Sequence, residues 1–93
     1  MVKPDTWKTN PEVVLREESD EWALLFDLTT GQVVGVNPVG AFIWKHLVEN
    51  TPLDEISSKL KTEFVDAPDT IENELTAFLN KLIERGFIGI VNS

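Results

Sequence analysis

There is no cysteine in the sequence, which rules out a disulfide framework, a thiol nucleophile and any cysteine-based metal site. Histidine occurs once, at His46. No apolar run approaches the ~20 residues that span a bilayer, and the N-terminus lacks the layout of a signal peptide. Basic residues are scarce: eight Lys and Arg face sixteen Asp and Glu, for a formal net charge of −8. That excess disfavours a phosphate backbone, whose binding rests on Lys and Arg, and an anionic membrane surface likewise. A cytoplasmic location is the default expectation, and a polypeptide partner remains open.

What is present suits one folded domain. Of the 93 residues 42% are hydrophobic, with three Trp and five Phe, enough for a modest core and too apolar for wholesale disorder. Residues 1–11 carry two prolines and read as an extended lead-in, with Trp7 as the point that tacks it to the body of a single domain over 12–93. "EVVLREE" (Glu12–Glu18) alternates apolar and polar residues, the pattern of a half-exposed strand. "WALLFDL" (Trp22–Leu28) is apolar nearly throughout, which predicts a strand with neighbours on both sides and cover over its faces. "TTGQ" supplies a turn glycine, and "VVGV" completes a predicted antiparallel meander with Trp22–Leu28 at its centre.

Helical spacing begins at Asn37, an N-cap before Pro38 at the first helical position. The helix "PVGAFIWKHLVEN" spreads Phe42, Ile43, Trp44, Leu47 and Val48 around its surface, so deep burial is expected. At "TPLD" the predicted grammar repeats, with Thr51 as cap, Pro52 as first residue and Asp54 closing a capping box. A third helix after "DAPD", with Asp69 and Glu72 as its capping box, places Ile71, Leu75, Phe78, Leu79, Leu82 and Ile83 along one stripe. Gly86 ends it, and "FIGIV" (Phe87–Val91) is either a short strand or an apolar tail on the core. Three strands followed by three helices make an α+β domain.

Chemistry finds little footing in these residues. His46 sits mid-helix with no Ser or Asp at triad spacing. Paired acids such as Glu17–Glu18 and Asp54–Glu55 fall at strand ends and helix starts, where solvation or capping explains them. The five glycines are scattered singly, so no phosphate loop is formed. No enzyme, no metal and no cofactor is expected.

The third strand, Gln32–Val36, is the informative stretch. It bears no charge, whereas the first strand carries Glu12, Arg16, Glu17 and Glu18, the usual defence of a sheet edge. An undefended edge offers backbone N–H and C=O groups to an added peptide strand. Equally, Phe87–Val91 could return and cover it. One flank of the third helix runs Glu74, Phe78, Lys81 and Arg85; bordering the bare strand, it would make a groove with an apolar floor and a charged lip.

"VVLREE", "ALLFDLTTGQVVGVNPVGAFIWKHL", "TPLDEISSKL" and "FLNKLIERGFI" resemble, in order and spacing, the PqqD-like proteins, also termed RiPP precursor recognition elements. The resemblance spans residues 11 to 91 and is most specific from Gly31 to Trp44, joined to Leu15–Arg16. It implies a winged helix-turn-helix-like domain of three antiparallel strands and three helices. It also implies a non-catalytic chaperone that takes the leader of a ribosomally made precursor peptide as an extra strand on the third strand, against the third helix. Carried over, this selects Val33, Val34, Gly35 and Val36 for backbone pairing and residues along Ile71–Arg85 for the wall. The bound precursor would be presented to a modifying enzyme, frequently a radical S-adenosylmethionine enzyme that carries its own iron–sulfur cofactor. "DLTTGQVVGVN" is closer to the general peptide-modification branch than to pyrroloquinoline quinone (PQQ) synthesis. A winged-helix DNA-binding protein and a fixed subunit of a larger enzyme are the alternatives. A monomer is expected, with strand-mediated dimerisation as the risk of an open edge.

Overall fold

The computed structural model describes residues 7–64 and 71–90. Its elements run β1 (Trp7–Thr9), β2 (Val13–Glu17), β3 (Ala23–Asp27), β4 (Val33–Val36), α1 (Pro38–Val48), α2 (Leu53–Glu63), α3 (Ile71–Arg85) and β5 (Ile88–Ile90). The meander forms as the alternation predicts: β2, β3 and β4 make an antiparallel sheet in that order, followed by the three helices. In register, Val14, Phe26 and Val33 form one row across the sheet, and Arg16, Leu24 and Gly35 the next.

Local chemistry sets each turn. Asp27 is buried, and its Oδ1 accepts hydrogen bonds from the backbone N–H groups of Thr29 (2.8 Å) and Thr30 (3.2 Å). This is an Asx turn that makes a buried carboxylate acceptable by giving it donors. Gly31 follows in the left-handed region (φ 81°), where its missing side chain removes the strain. Between β2 and β3, Glu21 N–H donates to Ser19 Oγ at 3.1 Å.

The inner sheet face supplies Val13, Ala23, Leu25, Val34 and Val36 to a single core. Helices close it with Ile43, Trp44 and Leu47 from α1, Ile56 and Leu60 from α2, and Ile71, Leu75, Leu79 and Leu82 from α3. Asn37 caps α1 as expected, its Oδ1 accepting from Gly40 N–H at 2.8 Å. Gly40 itself is needed for packing, because a Cβ there would stand 3.1 Å from Val36 Cβ and 3.4 Å from the Phe78 ring.

The chain's end goes to its beginning. β5 pairs antiparallel with β1, matching Thr9 with Ile88 and Lys8 with Gly89. Gly86, at φ 76°, closes α3 with a Schellman motif: Phe87 N–H donates to Leu82 C=O (2.9 Å) and Gly86 N–H to Ile83 C=O (3.1 Å). Phe87 and Leu82 are fully buried, which anchors the turn. Asn10 then ties the two ends together, taking Phe87 C=O through its backbone N–H (2.8 Å) and Gly86 C=O through its side-chain amide (3.3 Å). Trp7–Thr9 of the lead-in and Ile88–Ile90 of the tail thus make a second, two-stranded ladder.

Several expectations are corrected. β3 has neighbours on both sides but cover on one face only, leaving Phe26 exposed and Leu24 half-buried. α1 stops at Val48, which is exposed, because Asn50 turns left-handed (φ 62°) directly after it. α2 is capped by Pro52 without a side-chain bond; Thr51 instead lies beside His46, and Asp54 accepts from Glu55 N–H (3.0 Å). Ile83 falls off the buried stripe of α3 and is exposed. Asp69 and "DAPD" lie outside the described residues.

Candidate functional site

Antiparallel pairing decides which backbone groups of β4 are spoken for. Residue pairs alternate between those that exchange both hydrogen bonds and those that exchange none. Asp27 N–H donates to Gln32 C=O at 2.9 Å, which makes Gln32 a bonded partner of β3. By the register, Val34 opposite Leu25 and Val36 opposite Ala23 are bonded likewise. Val33 and Gly35 are the intervening residues, so their N–H and C=O groups point away from β3. Among the described residues no strand lies on that side, because β4 ends the sheet order and β5 is engaged with β1. Of the two outcomes left open for the tail, its described residues, 87–90, do not cover Gln32–Val36.

α3 borders this margin. At one end Gln32 Nε2 donates to Arg85 C=O (3.3 Å) and the Arg85 guanidinium to Gln32 Oε1 (3.4 Å). At the other end the Phe78 ring meets α1 at Gly40, beside Val36. Helix and strand therefore run alongside each other in opposite directions from Phe78 to Arg85. Glu74, Phe78, Lys81 and Arg85 share a helix face at spacings of four, three and four, and of these Phe78 and Arg85 lie at the β4 side. Phe78 and Glu74 are half-buried while Lys81 and Arg85 are exposed.

On the sheet's outer side the surface is apolar and uncovered. Val14 (41% exposed), Phe26 (37%) and Val33 (46%) form a row across all three strands, with Leu28 beyond. Patterning had placed Phe26 in a covered strand, so this surface was missed. Alternation would have put the charged Asp27 outside; the Asx turn instead buries it and thereby turns Phe26 outward.

His46 Nδ1 lies 3.2 Å from Thr51 Oγ1 and its ring packs edge-on against Phe42, centroids 4.6 Å apart. The Thr51 contact ties the end of α1 to the loop that leads into α2, and the Phe42 contact lies within α1. Among the described residues no three His, Asp or Glu converge as metal ligands. A cleft of about 240 Å³ beyond the end of β4 is lined by Trp22, Phe42 and Phe64, with Glu17 and Lys45 ion-paired at its wall. Among the described residues, the carboxylate moved from its ordinary range is Glu72 on α3, lowered by the hydrogen bond (2.7 Å) and charge of Lys61 on α2. It faces away from β4 toward α2. No helix among the described residues is long and apolar enough to cross a membrane.

The comparisons with known proteins bear on the family and the fold. The family model described as "Coenzyme PQQ synthesis protein D (PqqD)" matches residues 13–88. A solved structure described as TbiB1 in complex with the TbiA(beta) leader peptide is 29% identical, with a TM-score of 0.75 over 92% of this chain and 99% of that one. A second, lasso peptide synthetase B1 complexed with the leader peptide, is 20% identical and shares the fold, with a TM-score of 0.72 over 90% and 98% of the two chains. No curated protein matches the sequence.

Proposed function

This chain belongs to the PqqD family, and on that premise we propose that it binds the leader of a ribosomally made precursor peptide as a fourth strand on β4. The carrying observation is the outward N–H and C=O groups of Val33 and Gly35 beside the Phe78–Arg85 flank of α3. Backbone pairing would supply sequence-tolerant affinity, and the groove over Phe78 would select alternate side chains of the peptide. In this reading Gln32, Val33, Val34, Gly35 and Val36 form the strand platform, with Val34 and Val36 turned into the core. Glu74, Phe78, Lys81 and Arg85 form the wall.

The protein makes and breaks no bond itself. It raises the effective concentration of its cargo at a modifying enzyme, for which a radical S-adenosylmethionine enzyme is the expected partner, in the cytoplasm. The likeness to a leader-bound structure at 29% identity supports a leader as the cargo. Duplex DNA is disfavoured by the helix that would enter a groove: α3 bears Glu72, Glu74 and Glu84 against Lys81 and Arg85.

The test is a titration of the labelled chain followed by amide resonances, using the TbiA(beta) leader and leaders encoded beside this chain's own gene. Amides of Val33–Val36 and of α3 are expected to shift together. Shifts confined to Lys59–Phe64, or none with any leader, would remove the proposal.

A further inference from the structure

The glycine in the middle of β4 has no structural reason to be there. Gly31 and Gly86 adopt left-handed backbone and Gly40 makes a close approach, so each requires glycine. Gly35 does neither: its backbone is ordinary and a Cβ built on it meets no atom within 4 Å. Gly89 shares this freedom but lies in the terminal ladder, away from β4. Within a strand, a glycine without such a reason weakens the ladder and marks a place where another chain or ligand comes close. The outer-face row it belongs to is Arg16–Leu24–Gly35, so the missing side chain leaves an open notch at the sheet margin beside half-buried Leu24. Val33 and Phe26, both exposed, wall the notch on the side of the β3–β4 turn.

We propose that Gly35 is a specificity notch: the peptide strand on β4 carries, opposite Gly35, an aromatic side chain that lies over the glycine onto Leu24. This rests on the strand-addition reading and goes beyond it by naming a feature of the peptide on the outer face, opposite to the α3 groove. Residues directly opposite each other in neighbouring strands point to the same face, whichever way the added strand runs. The residue facing Gly35 therefore projects outward, and a flat ring is the shape that spans a glycine to reach the next strand, as in aromatic rescue of edge glycines. Arg16, at the far end of the same row, is held in an ion pair with Glu18 (2.8 Å). The middle of the row is thus free of charge and suited to an apolar cover.

The experiment selects randomised octapeptides displayed on phage against the full chain, then measures affinities of the enriched peptides and their aromatic→Ala versions by fluorescence anisotropy. For the wild type, enriched peptides are expected to hold an aromatic residue at one fixed position, preferred over Ala by roughly tenfold or more. In Gly35→Val the preference should collapse to within about threefold, and in Gly35→Ala it should fall part of the way. Amide spectra of the free variants establish that both fold. An aromatic preference that survives Gly35→Val overturns the notch while leaving strand addition standing. So do enriched peptides with no fixed aromatic. Failure to enrich any peptide, together with no leader-induced shifts at β4, removes the strand-addition reading and the notch with it.

Discussion

The sheet has two margins, and they are treated differently. On the β2 side the register turns the N–H and C=O groups of Val13, Leu15 and Glu17 outward. Val13 N–H is already taken by Asn10 C=O at 3.0 Å. Glu17 is ion-paired with Lys45 of α1, and Arg16 with Glu18, so long charged side chains stand around what remains. On the β4 side the outward groups belong to Val33 and Gly35, and nothing charged stands on the strand. Both margins belong to one small sheet of similar strand lengths, so the contrast lies in the side chains and in the one backbone bond that Asn10 makes to Val13. It teaches that edge protection is a local choice, made residue by residue, and that its omission on one side is a feature to be explained.

Proline substitution should break the contrast most sharply. Val34→Pro removes a donor bonded to β3 and should cost roughly 2–4 kcal/mol of stability in urea unfolding. Val33→Pro removes a donor that points outward, where edge strands tolerate proline. It should leave the unfolding midpoint nearly in place yet weaken leader binding by about 10- to 100-fold. Leu15→Pro, its counterpart on the β2 margin, should leave binding intact; equal losses from both variants would mean that neither margin is the platform.

Next in size is Gly40→Ala. Its new methyl would stand 3.1 Å from Val36 Cβ, forcing α1 away from the end of β4. A stability loss of roughly 1–3 kcal/mol is expected, against a null effect for alanine at Gly35, where space is open. A smaller loss at Gly40 than at Gly35 would show that the helix can yield.

The smallest effect belongs away from either margin, at Glu72. Its carboxyl is held below the ordinary range in the folded chain, so the associated stability is present above the unfolded value and is lost as pH falls through the folded one. The pair is exposed and screened by solvent, so Glu72→Gln should lower the melting temperature only slightly at neutral pH. That difference should close on acidification; a gap that widens instead would contradict the sign.

The elements themselves were legible because each is written in local terms. Alternation named β2, a turn glycine named the β3–β4 hairpin, and Asn37–Pro38 named the start of α1. The bare character of β4 was legible for the same reason. Whether the bareness mattered was not, since covering it by Phe87–Val91 required a contact across more than fifty positions. Nor could spacing tell which flank of α3 faces β4. Glu74, Phe78, Lys81 and Arg85 border the buried stripe on one side, and Ile83 borders it on the other. β3 was misjudged because an apolar run suits a strand covered on both faces as well as one whose outer face is left apolar and open.

By itself, the chain's order of residues determined the alternation of β2, the Asn37 cap of α1 and the absence of charge from β4, because those follow from neighbours a few positions apart. Only the folded arrangement decided that the tail binds the lead-in, that Phe78 and Arg85 flank β4, and that Val33 and Gly35 turn their amides outward. These depend on packing and register between distant segments, where many sequences of the same local pattern would choose otherwise.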